Sequence, residues 1–115
     1  MIHSSILEDV KKFCQIPDFD DGFDTELLIL INSTLMSIAQ ISAKAQSGTL
    51  VTGSEDTWAS LIEGDDEMEG IKAYVCMKVK MIFDPPSSSF VLEAYKNEIA
   101  ELEWRLHIHG EEVFD

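Results

Sequence analysis

At 115 residues, with 45% hydrophobic and 9% aromatic side chains, the chain suits one domain with its own core and is too apolar for a disordered segment. Its 22 acids against 8 bases leave a formal charge of −14, which repels phosphate and argues against tight nucleic-acid binding by charge neutralisation. Cys14 and Cys76 stand far apart with no CxxC and no matching histidine spacing, so they read as free buried thiols of a reducing cytosol, not as zinc ligands or a disulfide framework.

Met1-Ile2-His3-Ser4-Ser5 carries no basic region ahead of an apolar run, so no signal peptide is expected and synthesis takes place in a cytoplasm. Ser5-Ile6-Leu7-Glu8 has the form of a capping box and opens a first helix. Its apolar positions Ile6, Val10, Phe13 and Cys14 share a face. Pro17 disfavours helical geometry at Ile16, so the helix ends near Gln15.

The acidic stretch "PDFDDGFD" suggests a calcium loop, but the register fails. With Gly22 at the sixth position of such a loop, Pro17, Phe19 and Leu28 fall where oxygen ligands are needed. A turn whose Asp24 caps the next helix is the expectation.

A second helix is expected from about Thr25 to Gln46. Within it, "LLILINSTLMSIAQISA" is uncharged but short of a membrane span and interrupted by polar side chains. Only the stripe Ser33, Ser37, Gln40 and Lys44 reads as solvent-facing. Gly48 ends the helix, "GTLVTGS" is a loop or short extended piece, and Ser54 opens a short third helix carrying Trp58, Leu61 and Ile62.

Five acids between Glu63 and Glu69 precede the fourth helix, expected over about Asp66 to Phe83, where the amide dipole favours them without any metal. Ile71, Tyr74, Val75, Met77, Val79, Met81 and Ile82 are spread around this helix among Lys72, Lys78 and Lys80. It therefore needs neighbours on several sides, with the lysine stems lying over apolar surface.

Pro86 disfavours helical geometry at Pro85, and Pro85 does so at Asp84, so the fourth helix stops near Phe83. Asp84, Pro85, Pro86 and Ser87 thus form a structural corner. Ser87, or failing that Ser88, caps the last helix, with Pro86 and Val91 placed as a hydrophobic staple. Leu92, Tyr95, Ile99, Leu102 and Leu106 then alternate three- and four-residue steps. That seam suits packing on one antiparallel helix, against Tyr74, Val75 and Ile82. The opposite face carries Glu93, Lys96, Asn97, Glu101 and Glu103, with Lys96 within reach of Glu93. Gly110 is the expected stop.

The expected fold is all-α: a single domain over residues 1–115, a small bundle of about five helices with a long C-terminal antiparallel helical hairpin. None of GxSxG, GxxxxGK[ST], HExxH or GxGxxG occurs. His107 and His109 are two residues apart and on a helix point in different directions, so they do not share a metal. No catalytic residue, cofactor or metal site is assigned.

The corner and the seam carry a resemblance. "YVxxKVxxxFDPPxSxxVxEAxxxxIxELEWRL", Tyr74 through Leu106, resembles the C-terminal helical hairpin of the head-tail connector (adaptor, or head-completion) proteins of tailed phages. "ILEDVKKFCQI" and the apolar second helix are similar to the same family. The crowded acids at Glu63 to Glu69 and the short tail depart from it.

The resemblance implies a structural subunit, not an enzyme. It implies a homo-oligomeric ring of about twelve copies in the virion neck, beneath the portal protein, which extends the DNA channel and docks the stopper or tail-completion protein. DNA would pass through without specific binding, as the net acidity suits, and no membrane is involved. A ring needs two different adhesive faces on each subunit, and helices two and four carry apolar residues enough for both. Contact segments are expected in Thr49, Leu50 and Val51 and in the tail at His109, Val113 and Phe114, outside the bundle. The rival reading is an acidic inhibitor or DNA mimic acting as a monomer or dimer; its carboxylates would have to share one face, whereas the acids here concentrate in loops and helix starts.

Overall fold

A computed structural model describes residues 5–41, 51–61 and 65–112, with side chains except those of 39–41, 60, 61, 65–68 and 107–112. Every regular element among them is helical: α1 (Ile6–Phe13), α2 (Asp24–Ile41), α3 (Trp58–Leu61), α4 (Asp65–Phe83) and α5 (Ser89–Glu112). Four are helices of two turns or more; α3 is a single turn. The only β feature described is an isolated bridge between Ser5 and Thr57. No described helix is long and apolar enough to cross a membrane.

α1 begins as its sequence dictates, with Ser5 Oγ accepting from the Glu8 amide at 3.3 Å. Its exit is more particular. Gln15 adopts φ 62°, the Gln15 amide donates to the Lys12 carbonyl at 3.1 Å, and the Ile16 amide donates to Lys11 at 2.8 Å. These two bonds are the Schellman closure, here with a non-glycine residue in the left-handed position.

α2 corrects the expected cap. The first helical bond runs from the Leu27 amide to the Phe23 carbonyl, so Phe23 is the cap residue and Asp24 lies inside the first turn. The Asp24 carboxylate instead reaches Lys11 Nζ at 3.1 Å. Asp20 Oδ1 takes the Gly22 amide at 3.0 Å, closing the acidic loop on itself.

Ser54 does not open α3, which starts at Trp58. Asp56 organises the loop before it, its carboxylate accepting from the amides of Thr52 and Gly53 and from the Thr52 hydroxyl. Asn32 fixes the loop from the other side: its Nδ2 donates to the Val51 carbonyl at 3.0 Å, and its Oδ1 accepts the Val51 amide at 2.8 Å. Ile62, Gly48 and the expected end of the second helix at Gln46 lie outside the described residues.

α4 sits at the centre of the molecule, packed against α1, α2, α3 and α5, and its pairing with α5 is the most extensive. Ile71, Tyr74, Val75, Cys76 and Val79 are buried on several sides of it, which explains why its apolar residues show no single stripe. The core continues through Ile6, Leu7 and Val10 of α1, Leu27, Ile31 and Ile38 of α2, Val51, Trp58, and Ile99, Leu102 and Leu106 of α5. α5 runs through Gly110 to Glu112, so that glycine does not stop the helix.

Candidate functional site

The Asp-Pro-Pro-Ser corner joins α4 to α5 by local bonds at each end. The Asp84 amide donates to the Lys80 carbonyl at 2.8 Å, and Lys80 Nζ lies 3.4 Å from the Asp84 carboxylate. Across the prolines, Ser88 caps α5: its hydroxyl accepts the Val91 amide at 3.4 Å and its carbonyl accepts Leu92 at 2.9 Å. The cap is thus Ser88, the second of the two serines considered, and the staple positions shift to Ser87 and Leu92, leaving Pro86 and Val91 out of that motif. A groove of about 440 Å³ opens beside the corner, lined by Phe13, Lys80, Pro86, Ser88, Val91 and Tyr95 among others. Phe13 and Tyr95 stand 6.2 Å apart within it, tying α1 to α5.

Two further surfaces are apolar and exposed. On the first, Ile29 and Leu30 of α2 and Ile82 and Phe83 of α4 line a cleft of about 380 Å³ with Glu26 on its rim. Phe23 packs edge-on against Phe83 at 5.2 Å, and Met36 continues the exposed face along α2. The second surface lies along α5, where Phe90 and Trp104 are 82% and 61% exposed. They sit about four turns apart, on one line with Ala94, Asn97 and Glu101, opposite the buried seam.

The polar groups at the helix contacts are already engaged. Asp9 receives Trp58 Nε1 at 2.8 Å and lies 3.4 Å from Lys72 Nζ, joining α1, α3 and α4. The Tyr74 hydroxyl donates to Glu103 at 2.7 Å, Lys78 Nζ lies 4.0 Å from the same carboxylate, and Lys78 also rests over the Tyr74 ring. Burial first, and the bond to Glu103 second, raise the Tyr74 phenol above its ordinary range. Burial likewise pushes the Cys76 thiol up to about 12 and raises Cys14; thiols so held are poor nucleophiles. Among the described residues, no three His, Cys, Asp or Glu side chains gather closely enough to hold a metal ion.

A bundle whose described helix contacts are tied by paired polar groups and which leaves large apolar side chains exposed is equipped for association. The family model for phage connector proteins matches residues 6–113. The chain belongs to the phage connector protein family. Neither a curated protein nor a solved structure matches it. Its family makes it a component of the phage head-tail junction, and the connector's all-helical architecture agrees with the expected fold class.

Against that identity the expected site residues divide. Tyr74, Val75, Ile99, Leu102 and Leu106 of the connector are buried together, while Leu92 and Tyr95 are half-buried at the corner end of the seam. Ile82 is 62% exposed and faces the α2 cleft, so it does not pack in the seam. Val51 is buried and clamped by Asn32, which makes it the anchor of its loop and leaves no side-chain surface for a contact. Thr49, Leu50, Val113 and Phe114 lie outside the described residues, and His109 is described by backbone alone.

Ser33 and Ser37 are exposed as expected, but Ile29 and Met36 share the open side of α2, so the polar stripe is not its only solvent-facing part. Gln40 and Lys44 lie outside the described side chains. Lys96 pairs with Glu93 at 3.9 Å, whereas Glu103 turns to Tyr74 and Lys78. Sequence reasoning missed Phe90 and Trp104 as a surface. The available signal was their common helical line away from the Leu92 to Leu106 seam.

Proposed function

We propose that the connector is a structural subunit of the phage neck, with no catalytic role and no cofactor. Copies form a homo-oligomeric ring of about twelve beneath the portal protein, extend the DNA channel, and offer a docking surface to the stopper or tail-completion protein. The observation that carries this reading is the family match over residues 6–113. The exposed apolar surfaces on α2 with α4 and on α5 support it, since a subunit in a cyclic ring needs two different adhesive faces.

In this reading residues 1–115 act as one domain. α4 and α5, joined at Asp84, Pro85, Pro86 and Ser87, serve as an antiparallel hairpin that gives the ring a stiff wall. Thr49 and Leu50, which precede the anchored Val51 in sequence, and the tail at His109, Val113 and Phe114 are the segments offered to neighbouring proteins. The net charge of −14 keeps DNA from adhering as it passes, so the channel needs no specific DNA contact.

The test is mass photometry and negative-stain imaging of the purified protein with and without its cognate portal. Binding to portal rings in a cyclic arrangement is expected. A protein that ignores the portal and instead blocks a DNA-binding enzyme would overturn the proposal in favour of an acidic inhibitor.

A further inference from the structure

We propose that Trp104 and Arg105 of one copy dock into the α2–α4 cleft of the next, with the Trp104 indole between Ile29 and Ile82 and Arg105 meeting Glu26. This contact rests on the ring reading above and specifies the faces that make it.

The argument begins from charge. At −14, two copies repel, so a self-contact has to combine an apolar centre with one of the few cations able to face outward. Lys11, Lys72, Lys78 and Lys80 are held against Asp24, Asp9, Glu103 and Asp84 at the bundle's own helix contacts and corner. Lys12, Lys96 and Arg105 are the exposed cations among the described side chains, and two of these lie on α5. Arg105 directly follows the most exposed large aromatic of that helix's C-terminal half. Its present partner, Glu101, is a solvent-exposed neighbour one turn away that it can exchange for Glu26.

The receiving surface has the matching character. Its walls are Ile29, Leu30, Ile82 and Phe83, its rim carries the exposed Glu26, and its volume of about 380 Å³ admits an indole. A tryptophan beside an arginine, entering an apolar cleft with a carboxylate on its rim, is the composition of an interface hot spot. Donor and acceptor surfaces are different parts of the molecule, so the contact is heterologous and propagates from copy to copy.

Charge exchange tests it. Glu26→Lys and Arg105→Glu are prepared separately, and self-association is followed by sedimentation from micromolar to millimolar concentration. The parent is expected to associate, and each variant alone to do so about thirtyfold or more weakly, because like charges then meet at the rim. A 1:1 mixture restores association, since every contact again pairs Lys with Glu or Glu with Arg. Trp104→Ala, at a side chain 61% exposed, is expected to lose association with an unchanged melting temperature.

A parent that stays monomeric throughout overturns the contact. So does a variant that associates as the parent does, or a mixture no better than its components. Portal binding by a parent that fails these tests would leave the connector reading standing, so the two failures are separable.

Discussion

Lys11 Nζ lies 3.1 Å from Asp24 Oδ1, and the lysine side chain is only 3% exposed. The same ammonium donates to the Asp18 carbonyl at 3.3 Å, so one cation ties α1 to both the acidic loop and the start of α2. Asp24 Oδ1 is buried and lacks a hydrogen-bond-aligned partner among the described residues, leaving the ion pair as its compensation. Removing the acid strands a cation that is almost wholly buried, whereas removing the cation leaves an aspartate whose side chain is 29% exposed and which, apart from the buried Oδ1, can hydrate. Asp24→Ala is therefore expected to cost about 3 kcal/mol and Lys11→Met about 1 kcal/mol, measured by urea denaturation. The double variant should cost less than the sum, and equal single losses would contradict the asymmetry.

The two corner serines separate by the same method. Ser88→Ala removes the acceptor of the Val91 amide and should lower stability by about 1 kcal/mol. Ser87→Ala should stay within about 0.5 kcal/mol of the parent, as an exposed position without a capping bond does. A larger loss at Ser87 would return the cap to that residue.

Gln15 holds a left-handed backbone at φ 62° to close the end of α1. Glycine relieves that strain but loses more entropy on folding, so Gln15→Gly should gain only about 0.5 kcal/mol, or about 2 °C in melting temperature. Gln15→Val should lose stability, because a β-branched side chain tolerates this conformation least. Calorimetry that ranks valine above glycine would refute the assignment.

Alkali should destabilise the protein through three buried protons. Cys76, Cys14 and Tyr74 all hold their protons to higher pH in the folded chain than their ordinary values of 9.0 and 10.0. Their contribution is complete below those values and is lost as pH rises through about 9 toward 12, where the unfolded chain ionises first. The denaturation midpoint is expected to be flat up to about pH 8.5 and to fall beyond it. Cys76→Ala should flatten the lower part of that fall and Tyr74→Phe the upper part. A midpoint that rose with pH in this range would reverse the sign and contradict the burial of these groups.

The helix punctuation of this chain was written locally. Ser5 caps α1 because a serine hydroxyl is the right length to meet a first-turn amide, and Asp84-Pro85-Pro86 ends α4 because proline restricts the residue before it. Such effects involve neighbours along the chain, so they can be read in order without knowing the fold. The family was legible for a related reason: the corner and the following Glu-Leu-Glu-Trp-Arg-Leu form one continuous stretch. Where local rules competed, the reading slipped by a residue or more. Asp24 and Ser54 are good capping residues, yet one was drawn into the first turn by Lys11 and the other stayed in a loop organised by Asp56.

Which apolar residues became core and which became surface was decided only by tertiary packing. Ile31 and Ile29 of α2 are chemically identical, yet one is fully buried and the other 64% exposed, because α4 covers one side of that helix and nothing described covers the other. Val79 and Ile82 of α4 divide in the same way. A helix apolar on most of its circumference carries no periodic signal that says where its neighbours stop. Trp104 shows the reverse. Its place in the stretch was evident from the sequence, but the outward direction of its indole depended on the seam beside it being filled by Leu102 and Leu106 against α4. The residues thus determined that this would be an all-helical phage connector, and the packing determined which of its apolar surfaces were left exposed.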